Sequence, residues 1–468
     1  MAAIITDPFK KHMLQSIFDQ AQIDSDGRGT HPDGVLGDSA DAFFYIGIGR
    51  SRGWDSSSDA VIPDPTDTPF STRMAYAALQ SVKKHEGCSF VVPRKNWSSG
   101  LIYPAFDDDL TSIPTNGYYV LTEDNNVYIC LQQGKSADGT AVQSTVKPTG
   151  QAAAAFSTAD GYMWKFLFAL TATRANSFLT SSFMPVQKEL DMSTTIDASR
   201  KQQVTIQEAA IPGQISGIAV VNKGAGYTAG THSVIIQGDG TLATATATAA
   251  GGQIVKVEMD SAGSLGSGYN FASARVTAGS PSTEATLRPI LSPPNGFGAD
   301  VRDELKSTSL MFTIKPEGAA AGVVGADDFV VGNDFRQIML IKNPKSSATG
   351  NTFTSTTGRA LRFIELTDSS DASNFSVDGR LEGGTSGAVG HIDEIRTNRI
   401  FFHQNDSSGF HDFQVGEALN TNQGTIKFIT NDSDGIIRHG GEIFYYENRA
   451  PVTRAADQKE DIKVVITL

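Results

Sequence analysis

The sequence is poor in cysteine and in long apolar runs. Only two cysteines occur in 468 residues, Cys88 and Cys130, which excludes a disulfide-stapled secreted scaffold and favours synthesis in a reducing cytoplasm. Each lies in or beside a strand-like pattern, so both are predicted to be small buried thiols. No apolar run reaches the roughly 18 residues of a membrane-spanning helix, and residues 1–11 lack the apolar core of a signal peptide. We expect neither secretion nor membrane insertion.

Positive charge is also scarce. The chain has 38 basic and 51 acidic residues, a formal net charge of −13, and no basic cluster that overrides this average. A nucleic-acid groove or an anionic membrane surface needs the opposite balance. We therefore expect no nucleic acid and no membrane among the partners.

Catalytic signatures are missing as well. There is no His-Glu-x-x-His motif, no phosphate-binding loop, and no cysteine–histidine pair in a suggestive context. The sequence predicts that the protein is not an enzyme. It predicts no catalytic residues, no cofactor-binding residues, no cofactor and no small-molecule substrate.

Three groups of residues invite a metal-binding interpretation, and none meets its requirements. Residues 24–27 read Asp-x-Asp-Gly but lack the bidentate glutamate of a calcium loop. The acidic triplet at 107–109 is typical of a hydrated loop, because consecutive residues of an extended chain point to opposite sides. His391, His403 and His411 are separated by 12 and 8 residues, which matches no zinc spacing, and no cysteine is nearby. We predict no metal site.

Glycine is plentiful, at 46 residues, and the coarse pattern is one of turns and strands. The stretch 118–131 has β-formers on both sides of an Asn/Asp cluster, which predicts a hairpin. Further on, Trp164, Phe166, Phe168 and Leu170 alternate at period two, which predicts a strand with an aromatic buried face and Lys165 on the other face. No active-site residue types occur at suitable spacing here, so the stretch is interpreted as a scaffold.

Other elements follow from periodicity. Helices are predicted over residues 7–23 and 72–85, and strands over 42–49 and 89–94. Strands at 43–48, 335–341 and 462–466 are predicted to share one sheet. In the second of these, Arg336 is expected at the strand edge, paired to a neighbouring carboxylate rather than to a ligand.

Residues 214–278 contain an internal repeat. Gln214-Ile215 precedes Gly-Ala-Gly-Tyr at 224–227, and Gln253-Ile254 precedes Gly-Ser-Gly-Tyr at 266–269, with offsets of 39 and 42 residues. The first glycine run resembles a dinucleotide loop, but its third glycine, Gly230, comes one place late and the following residues are β-rich, so we reject that function. The repeat predicts a small all-β module with an exposed Thr/Ala strand at 241–248.

Several motifs occur in a fixed order along the chain, and none is specific alone. They are Trp-Ser-Ser-Gly at 97–100, the hairpin at 118–131, Ser-Thr-Val-Lys-Pro-Thr-Gly at 144–150, Asp-Gly-Tyr-Met-Trp-Lys at 160–165, Asn-Asp-Phe-Arg-Gln-Ile at 333–338 and Leu-Ile-Lys-Asn-Pro at 340–344. Their order and spacing resemble the baseplate wedge protein of contractile-tailed, T-even-type bacteriophages. The match covers the N-terminal half nearly continuously and resumes after residue 295, whereas about 205–285 and 379–430 look additional to shorter family members.

The resemblance, with the pattern of elements, implies a mainly β fold with a few short helices, in several domains. The expected architecture is antiparallel sheets in a sandwich-like core with small inserted β modules. The expected segments are the N-terminal core (1–204), the repeat module (205–288), the core continued (289–376), a second inserted β segment (377–432) and C-terminal strands completing the core (433–468).

The resemblance also implies a function. The chain is expected to be a late structural protein of the virion, a homodimer that binds other baseplate wedge subunits during viral tail assembly and contraction. Its place would be the tail baseplate, after assembly in the bacterial host cytoplasm. The alternative is a tail-associated receptor- or carbohydrate-binding β protein, motivated by exposed tyrosines such as Tyr227 and Tyr269 in the repeat.

Overall fold

The computed structural model describes residues 4–25, 42–54, 59, 61–189, 197–277, 280–316, 329, 334–430, 435–453 and 460–468. Its described part is mainly β, with several antiparallel sheets and a few short helices, as the sequence predicts. The chain divides into two compact units. Unit 1 comprises Met1–Leu14, Ser89–Leu310 and Thr467–Leu468, and unit 2 comprises Gln15–Cys88 and Met311–Ile466.

The helices are few and short. In chain order they are α1 (Asp7–Ser25), α2 (Pro69–Ala78), α3 (Ala172–Phe178), α4 (Ala198–Glu208) and α5 (Val301–Glu304), with a 3-10 turn at Ser369–Asn374. Side-chain N-caps begin four of these helices: Thr68, Thr171, Asp197 and Asp300 each accept a hydrogen bond from a first-turn N–H.

The strands carry most of the structure. From the N-terminus to the end of the repeat they are β1 (Phe44–Gly49), β2 (Leu79–Lys84), β3 (Gly87–Pro93), β4 (Tyr119–Leu121), β5 (Asn126–Gln132), β6 (Phe156–Ser157), β7 (Met163–Ala169), β8 (Phe183–Val186), β9 (Ile215–Asn222), β10 (Gly230–Gly238), β11 (Thr241–Ala243), β12 (Ala245–Ala250), β13 (Gln253–Met259), β14 (Leu265–Ser267), β15 (Ala272–Val276) and β16 (Thr286–Leu291). The remainder are β17 (Ser309–Ile314), β18 (Asp334–Lys342), β19 (Lys345–Ser346), β20 (Thr357–Arg359), β21 (Arg362–Leu366), β22 (Arg380–Glu382), β23 (Val389–Arg396), β24 (Arg399–His403), β25 (Ala418–Leu419), β26 (Gly424–Thr430), β27 (Ile436–Ile437), β28 (Glu442–Thr453) and β29 (Ile462–Thr467).

The predicted hairpin and aromatic strand form one sheet of unit 1, in the order β4-β5-β7-β6. The β4–β5 register is Tyr119 to Ile129, and β5 pairs with β7 through Cys130 and Trp164. Both faces of β7 are covered, because helix α4 packs on this sheet and Lys165 is only 5% exposed. The aromatic face was correctly predicted, and the other face is also interior.

The repeat forms a second sheet of unit 1, in the order β13-β12-β10-β15-β16-β9. Its outer strands approach each other, since the Ile254 N–H at the start of β13 donates to the carbonyl of Lys223 at the end of β9. The sheet is therefore barrel-like and nearly closed. The prediction of an exposed strand at 241–248 is correct only in its first part: β11 is largely exposed, whereas β12 lies inside the six-stranded sheet with Ala245 and Ala247 buried.

Unit 2 contains a five-stranded sheet in the order β20-β2-β1-β18-β28. Ile46 of β1 lies opposite Leu340 of β18, so strands nearly 300 residues apart are neighbours, as predicted for residues 43–48 and 335–341. The prediction that 462–466 joins this sheet is wrong. The place beside β18 is taken by β28, and β29 pairs with β17 instead.

The segment 379–430 lies in another six-stranded sheet of unit 2, in the order β22-β23-β24-β21-β26-β25. A bridge between Gly383 and Leu419 links its first and last strands, so this sheet too is nearly closed. Its core is aliphatic and aromatic, and includes Ile364, Leu381, Ile400, Phe402, Leu419 and Ile426.

The helix predicted over 72–85 is correct only in its first part. Helix α2 ends at Ala78, and Leu79 begins strand β2 with extended angles of φ −65° and ψ 129°. The apolar positions Leu79 and Val82 are buried, but they face β1 and β20 within the sheet. Tertiary pairing outweighs the local helical spacing here.

Candidate functional site

Four of the six motifs that carry the resemblance lie together in unit 1, and we call this group the motif cluster; the motifs at 333–338 and 340–344 belong to unit 2. It is defined by Trp97, the hairpin β4–β5, the loop 144–150 and residues 160–165. Its aromatic centre is tightly packed: the rings of Tyr162 and Trp164 stack with centroids 5.7 Å apart, and Tyr103 meets Trp164 edge-on at 5.8 Å. Trp97, Val120, Tyr128 and Cys130 pack against the same core.

Asp160 ties the loop 144–150 to the strand that follows it. Its Oδ2 accepts hydrogen bonds from Ser144 Oγ at 3.1 Å, from the Thr145 N–H at 2.8 Å and from the Val146 N–H at 2.9 Å. Burial raises the pKa of this carboxyl group, but the hydrogen bonds from Thr158, Val146, Thr145 and Ser144 outweigh burial and leave the pKa below its ordinary value. The carboxylate is therefore a fixed acceptor, not a proton donor.

The other end of that loop is held by Lys147. Its Nζ lies 2.7 Å from Glu123 Oε1 and 2.8 Å from Asp124 Oδ2, both in the β4–β5 turn. The three motifs thus contact one another through an aromatic core, a carboxylate clamp and a lysine clamp. These contacts fix the relative positions of the loop, the hairpin and the aromatic strand.

The two cysteines are buried thiols, as predicted, and they are not joined in a disulfide. Burial raises the pKa of both thiols well above the ordinary range. A thiol that stays protonated is a poor nucleophile and a poor metal ligand. Cys130 is a packing residue of the motif cluster.

The acidic triplet lies in a turn with Asp108 and Asp109 exposed, as predicted, but two of its carboxylates form an ion pair that the sequence did not predict. Asp107 and Asp108 each place a carboxylate oxygen 2.6 Å from the guanidinium of Arg288 in β16. Asp108 Oδ2 also accepts from the Leu291 N–H at 3.1 Å. The sequence hid this pairing because Arg288 lies about 180 residues away.

A buried polar network in unit 2 surrounds Asp393 on β23. Its Oδ1 accepts from Ser51 Oγ at 2.7 Å and from Gln80 Nε2 at 3.2 Å. Its Oδ2 lies 2.6 Å from His403 Nδ1. Burial raises the Asp393 pKa, while His403 and the hydroxyl and amide donors lower it, and the net pKa is below the ordinary value.

His391 and His403 are cross-strand neighbours with ring centroids 5.3 Å apart, and Arg52 Nη1 lies 2.9 Å from His391 Nε2. Burial, helped by His403 and Arg52, lowers the His391 pKa to about 4. His391 is therefore neutral at pH 7 and accepts the Arg52 hydrogen bond. Within the part of the chain that the structure describes, no group of three His, Cys, Asp or Glu side chains could hold a metal.

Sequence reasoning missed one motif near this network. Residues 49–53 read Gly-x-Ser-x-Gly, the pattern of a hydrolase nucleophile elbow. An elbow presents its serine to solvent at a strand-to-helix turn, with histidine as its base. Ser51 is 2% exposed and donates to a carboxylate, and the next described helix begins only at Pro69. The geometry makes Ser51 a structural donor.

Arg336 is paired to carboxylates, as predicted, although not at a sheet edge. Strand β18 lies between β1 and β28, and Arg336 is 6% exposed. Its guanidinium binds Asp59 through two 2.8 Å contacts and Asp334 through one of 3.1 Å. Both acceptors make it part of the fold of unit 2.

The repeat tyrosines are buried, which corrects the expectation of exposed rings. Tyr227 and Tyr269 are each 6% exposed. The Tyr227 N–H donates to the Gly252 carbonyl at the start of the second copy, and the Tyr269 N–H donates to the Gly213 carbonyl at the start of the first. The tyrosine of each copy therefore donates a backbone hydrogen bond to the start of the other copy. The strand β10 follows the first glycine run, which agrees with the rejection of a dinucleotide loop.

Two further predictions, on the turn at 24–27 and on membrane-spanning helices, can be compared only with the described residues. Most of the Asp-x-Asp-Gly turn at 24–27 lies outside the described residues. No helix among the described residues is both long enough and apolar enough to cross a bilayer.

Comparison with known proteins gives no assignment. No protein-family model matches the chain, and no curated protein matches it. Function has to be inferred from the motif cluster and from the chemistry that the described residues offer.

Proposed function

We propose that the chain is a structural subunit of a phage tail baseplate wedge. It forms a homodimer and links neighbouring wedge proteins during tail assembly and contraction. The observation that carries the proposal is the motif cluster: four of the six motifs that resemble the wedge family contact one another and build a close-packed aromatic scaffold. A motif kept for chemistry would instead expose a reactive group in a cleft.

The mechanism that fits such a scaffold is rigid-body movement. Close-packed aromatic cores deform little, so force applied at one surface is passed to the next. A permanent interface of this kind buries well over ~2,000 Å², and a two-fold dimer uses the same patch on both copies. Exposed aromatic side chains such as Phe271 at 66%, Phe410 at 55% and Phe428 at 50% are available for contacts of that kind.

The proposed location is the tail baseplate of the virion, reached after assembly in the bacterial cytoplasm. Receptor or carbohydrate binding was the alternative, and its motivation was a pair of exposed tyrosines. Because Tyr227 and Tyr269 are buried, stacking of a sugar on either ring would require the module to open. Among the described residues, the two tyrosines that motivated this second function therefore do not support it.

Sedimentation equilibrium of the purified full-length chain tests the dimer. At micromolar concentration we expect a mass about twice the 49.7 kDa of one chain. The measurement is repeated in 1 M salt, because a contact made by apolar surface persists while a charge-driven association weakens. A strict monomer under both conditions would count against the proposed function.

A further inference from the structure

Unit 1 contains a cavity between β7, the end of helix α4 and the repeat module. Its volume is about 420 Å³, within the range of small-ligand sites. The walls are small or aliphatic, with a few polar groups. They include Ala153, Ala154, Lys165, Ala209, Ile211, Gln214, Leu242, Gly263, Leu265 and Ser267.

One wall residue, Lys165, carries a buried ammonium group. The side chain is 5% exposed and lines the cavity. Its Nζ donates to the carbonyl of Ala153, which uses one of three N–H donors. Among the residues that the structure describes, no carboxylate lies within ion-pair distance of this Nζ. Lys147 on the same unit shows the contrast, since it contacts two carboxylates.

Glu304 is the acidic residue whose charge acts on Lys165, and it does not supply the missing counter-charge. Glu304 is fully buried, and its Oε1 accepts from the N–H groups of Gly298 at 2.6 Å and Asp300 at 3.2 Å. Burial raises the pKa of Glu304 to about 8, so this carboxyl group is largely protonated at pH 7. It cannot supply a full counter-charge to Lys165.

A buried ammonium group without a counter-charge is costly, by several kcal/mol in real proteins. Burial does lower the Lys165 pKa, while Glu304 opposes that effect. An anion in the cavity would remove the cost directly, because it would pair with the two unused N–H donors. The aliphatic walls would favour an anion with an apolar body over a bare inorganic ion.

We propose that this cavity binds a short-chain aliphatic carboxylate, with its carboxylate on Lys165 and its alkyl chain against the Ala, Ile and Leu walls. Gln214 and Ser267 supply further polar groups on the lining. The carboxylate is a bound ligand and undergoes no reaction. The inference is independent of the wedge proposal, since it concerns only the interior of unit 1.

Isothermal titration of the full-length chain with acetate, butyrate and hexanoate tests the site. We expect saturable 1:1 binding that tightens with chain length. Hexan-1-ol should bind about tenfold or more weakly than hexanoate, because it cannot form the charge-assisted pair. Equal binding of the alcohol and the acid, or no saturable binding of any carboxylate, would overturn the proposal.

The same carboxylate chemistry occurs at a polypeptide C-terminus, so a second arm separates the two sources. A Gly-Gly-Leu peptide with a free C-terminus is compared with the same peptide amidated and with hexanoate. Binding of hexanoate without the peptide identifies a small-molecule site. Tighter binding of the free peptide, lost on amidation, identifies a chain terminus as the natural source.

Two lysine variants test whether Lys165 binds the carboxylate group of hexanoate. Lys165→Met should weaken hexanoate binding at least about tenfold, as loss of a charged hydrogen bond predicts. Lys135→Met removes an equal charge from a partly buried lysine of the same unit that does not line this cavity, and should leave binding unchanged. Unchanged affinity in Lys165→Met, or an equal loss in Lys135→Met, would refute the assignment.

A second variant keeps the test decisive if Lys165→Met does not fold. Gly263 lines the cavity, and a Cβ added there would meet only Ser261 Oγ at 3.6 Å. Gly263→Leu should therefore be tolerated while its side chain occupies the cavity and abolishes hexanoate binding. Full binding in this folded variant would place the ligand elsewhere.

Discussion

Burial of Glu304 keeps its carboxyl group protonated and makes the stability of the protein depend on pH. Its Oε1 accepts two backbone hydrogen bonds, whereas its Oε2 is buried with no hydrogen-bond partner in the described part of the chain. Burial raises its pKa from 4.5 to about 8 in the folded protein. The neutral acid is favoured because a buried carboxylate would lose its hydration.

Replacing Glu304 by Gln should remove a pH dependence. Because the folded-state pKa lies above the unfolded one, the contribution of Glu304 to stability is full below pH 4.5 and is lost as pH rises through about 8. The slope of that loss approaches about 1.4 kcal/mol per pH unit. Chemical denaturation from pH 5 to 8 should show Glu304→Gln gaining stability relative to the native chain as pH rises. A constant difference across that range would contradict a raised pKa.

Asp160 is the residue on which the loop clamp of the motif cluster depends. Asp160→Ala leaves the N–H groups of Thr145 and Val146 without their acceptor, so we expect a loss of about 2 kcal/mol in the free energy of unfolding. Asp109→Ala is the matched control, because Asp109 is exposed and only its backbone N–H is hydrogen-bonded locally. Urea denaturation measures both variants. Similar values for the two would show that the clamp contributes little.

At the scale of elements, the repeat module depends on glycines that let two backbones approach. Gly224 and Gly266 occupy matching places in the two copies, with φ of 64° and 65°. A Cβ on Gly224 would lie 2.6 Å from the Thr283 carbonyl oxygen, and one on Gly266 would lie 2.5 Å from that of Thr241. The matching glycines of the two sequence copies therefore make matching close backbone contacts.

Alanine substitutions at these glycines should separate the energetic cost of a positive φ from the cost of a close backbone contact. Gly251 has a similar φ of 57°, but a Cβ there meets nothing within 4 Å. Gly251→Ala should cost about 1 kcal/mol through its backbone alone, whereas Gly224→Ala and Gly266→Ala should each cost about 3 kcal/mol because backbone atoms must also shift. Thermal unfolding followed by circular dichroism measures the three variants. Equal costs would mean that the close approach is not limiting.

Several helices and strands could be predicted because their sequence patterns are local. The hairpin β4–β5 and the strand β7 were found because an Asn/Asp turn and alternating aromatics act over a few residues. Residues 79–84 were wrongly assigned to a helix because the strand β2 is formed by pairing with β1 and β20, which no local window contains. The burial of Tyr227 was missed for the same reason, since Gly252 and Ala285, which contact it, come from the second copy of the repeat and from the end of the module.

The buried sites were harder still to predict. The Asp393 network combines Ser51 and Gln80 with His403, and more than 300 residues separate the first two from Asp393. The Lys165 cavity joins an aromatic strand to the repeat module. No local pattern in the sequence signals such proximity. Only the motif cluster, whose parts follow each other within about 70 residues, could be anticipated as one scaffold.

At the scale of the whole molecule, the chain leaves and re-enters each unit, so neither unit is one continuous segment. Strands β1 and β2, from the first part of unit 2, lie inside the five-stranded sheet between β20 and β18. The later part of unit 2 therefore lacks two interior strands when it is made alone.

Fragments test this arrangement. A fragment of residues 311–466 should not fold cooperatively, because β18 would lose its β1 partner and expose apolar residues such as Ile338 and Leu340. A fragment of residues 89–310, which retains the motif cluster and the repeat module, is the control and should unfold cooperatively. Dispersion of amide signals in NMR spectra distinguishes the two. Well-dispersed spectra from 311–466 alone would contradict the proposed dependence.

We proposed that the protein acts through its shape, as a subunit of a phage tail baseplate. Cryo-electron microscopy of tailed virions purified from cells that express the chain locates the protein. We expect paired copies in each wedge of the baseplate, with the aromatic scaffold of unit 1 intact. Density elsewhere in the particle, or absence of the protein from purified virions, would contradict it.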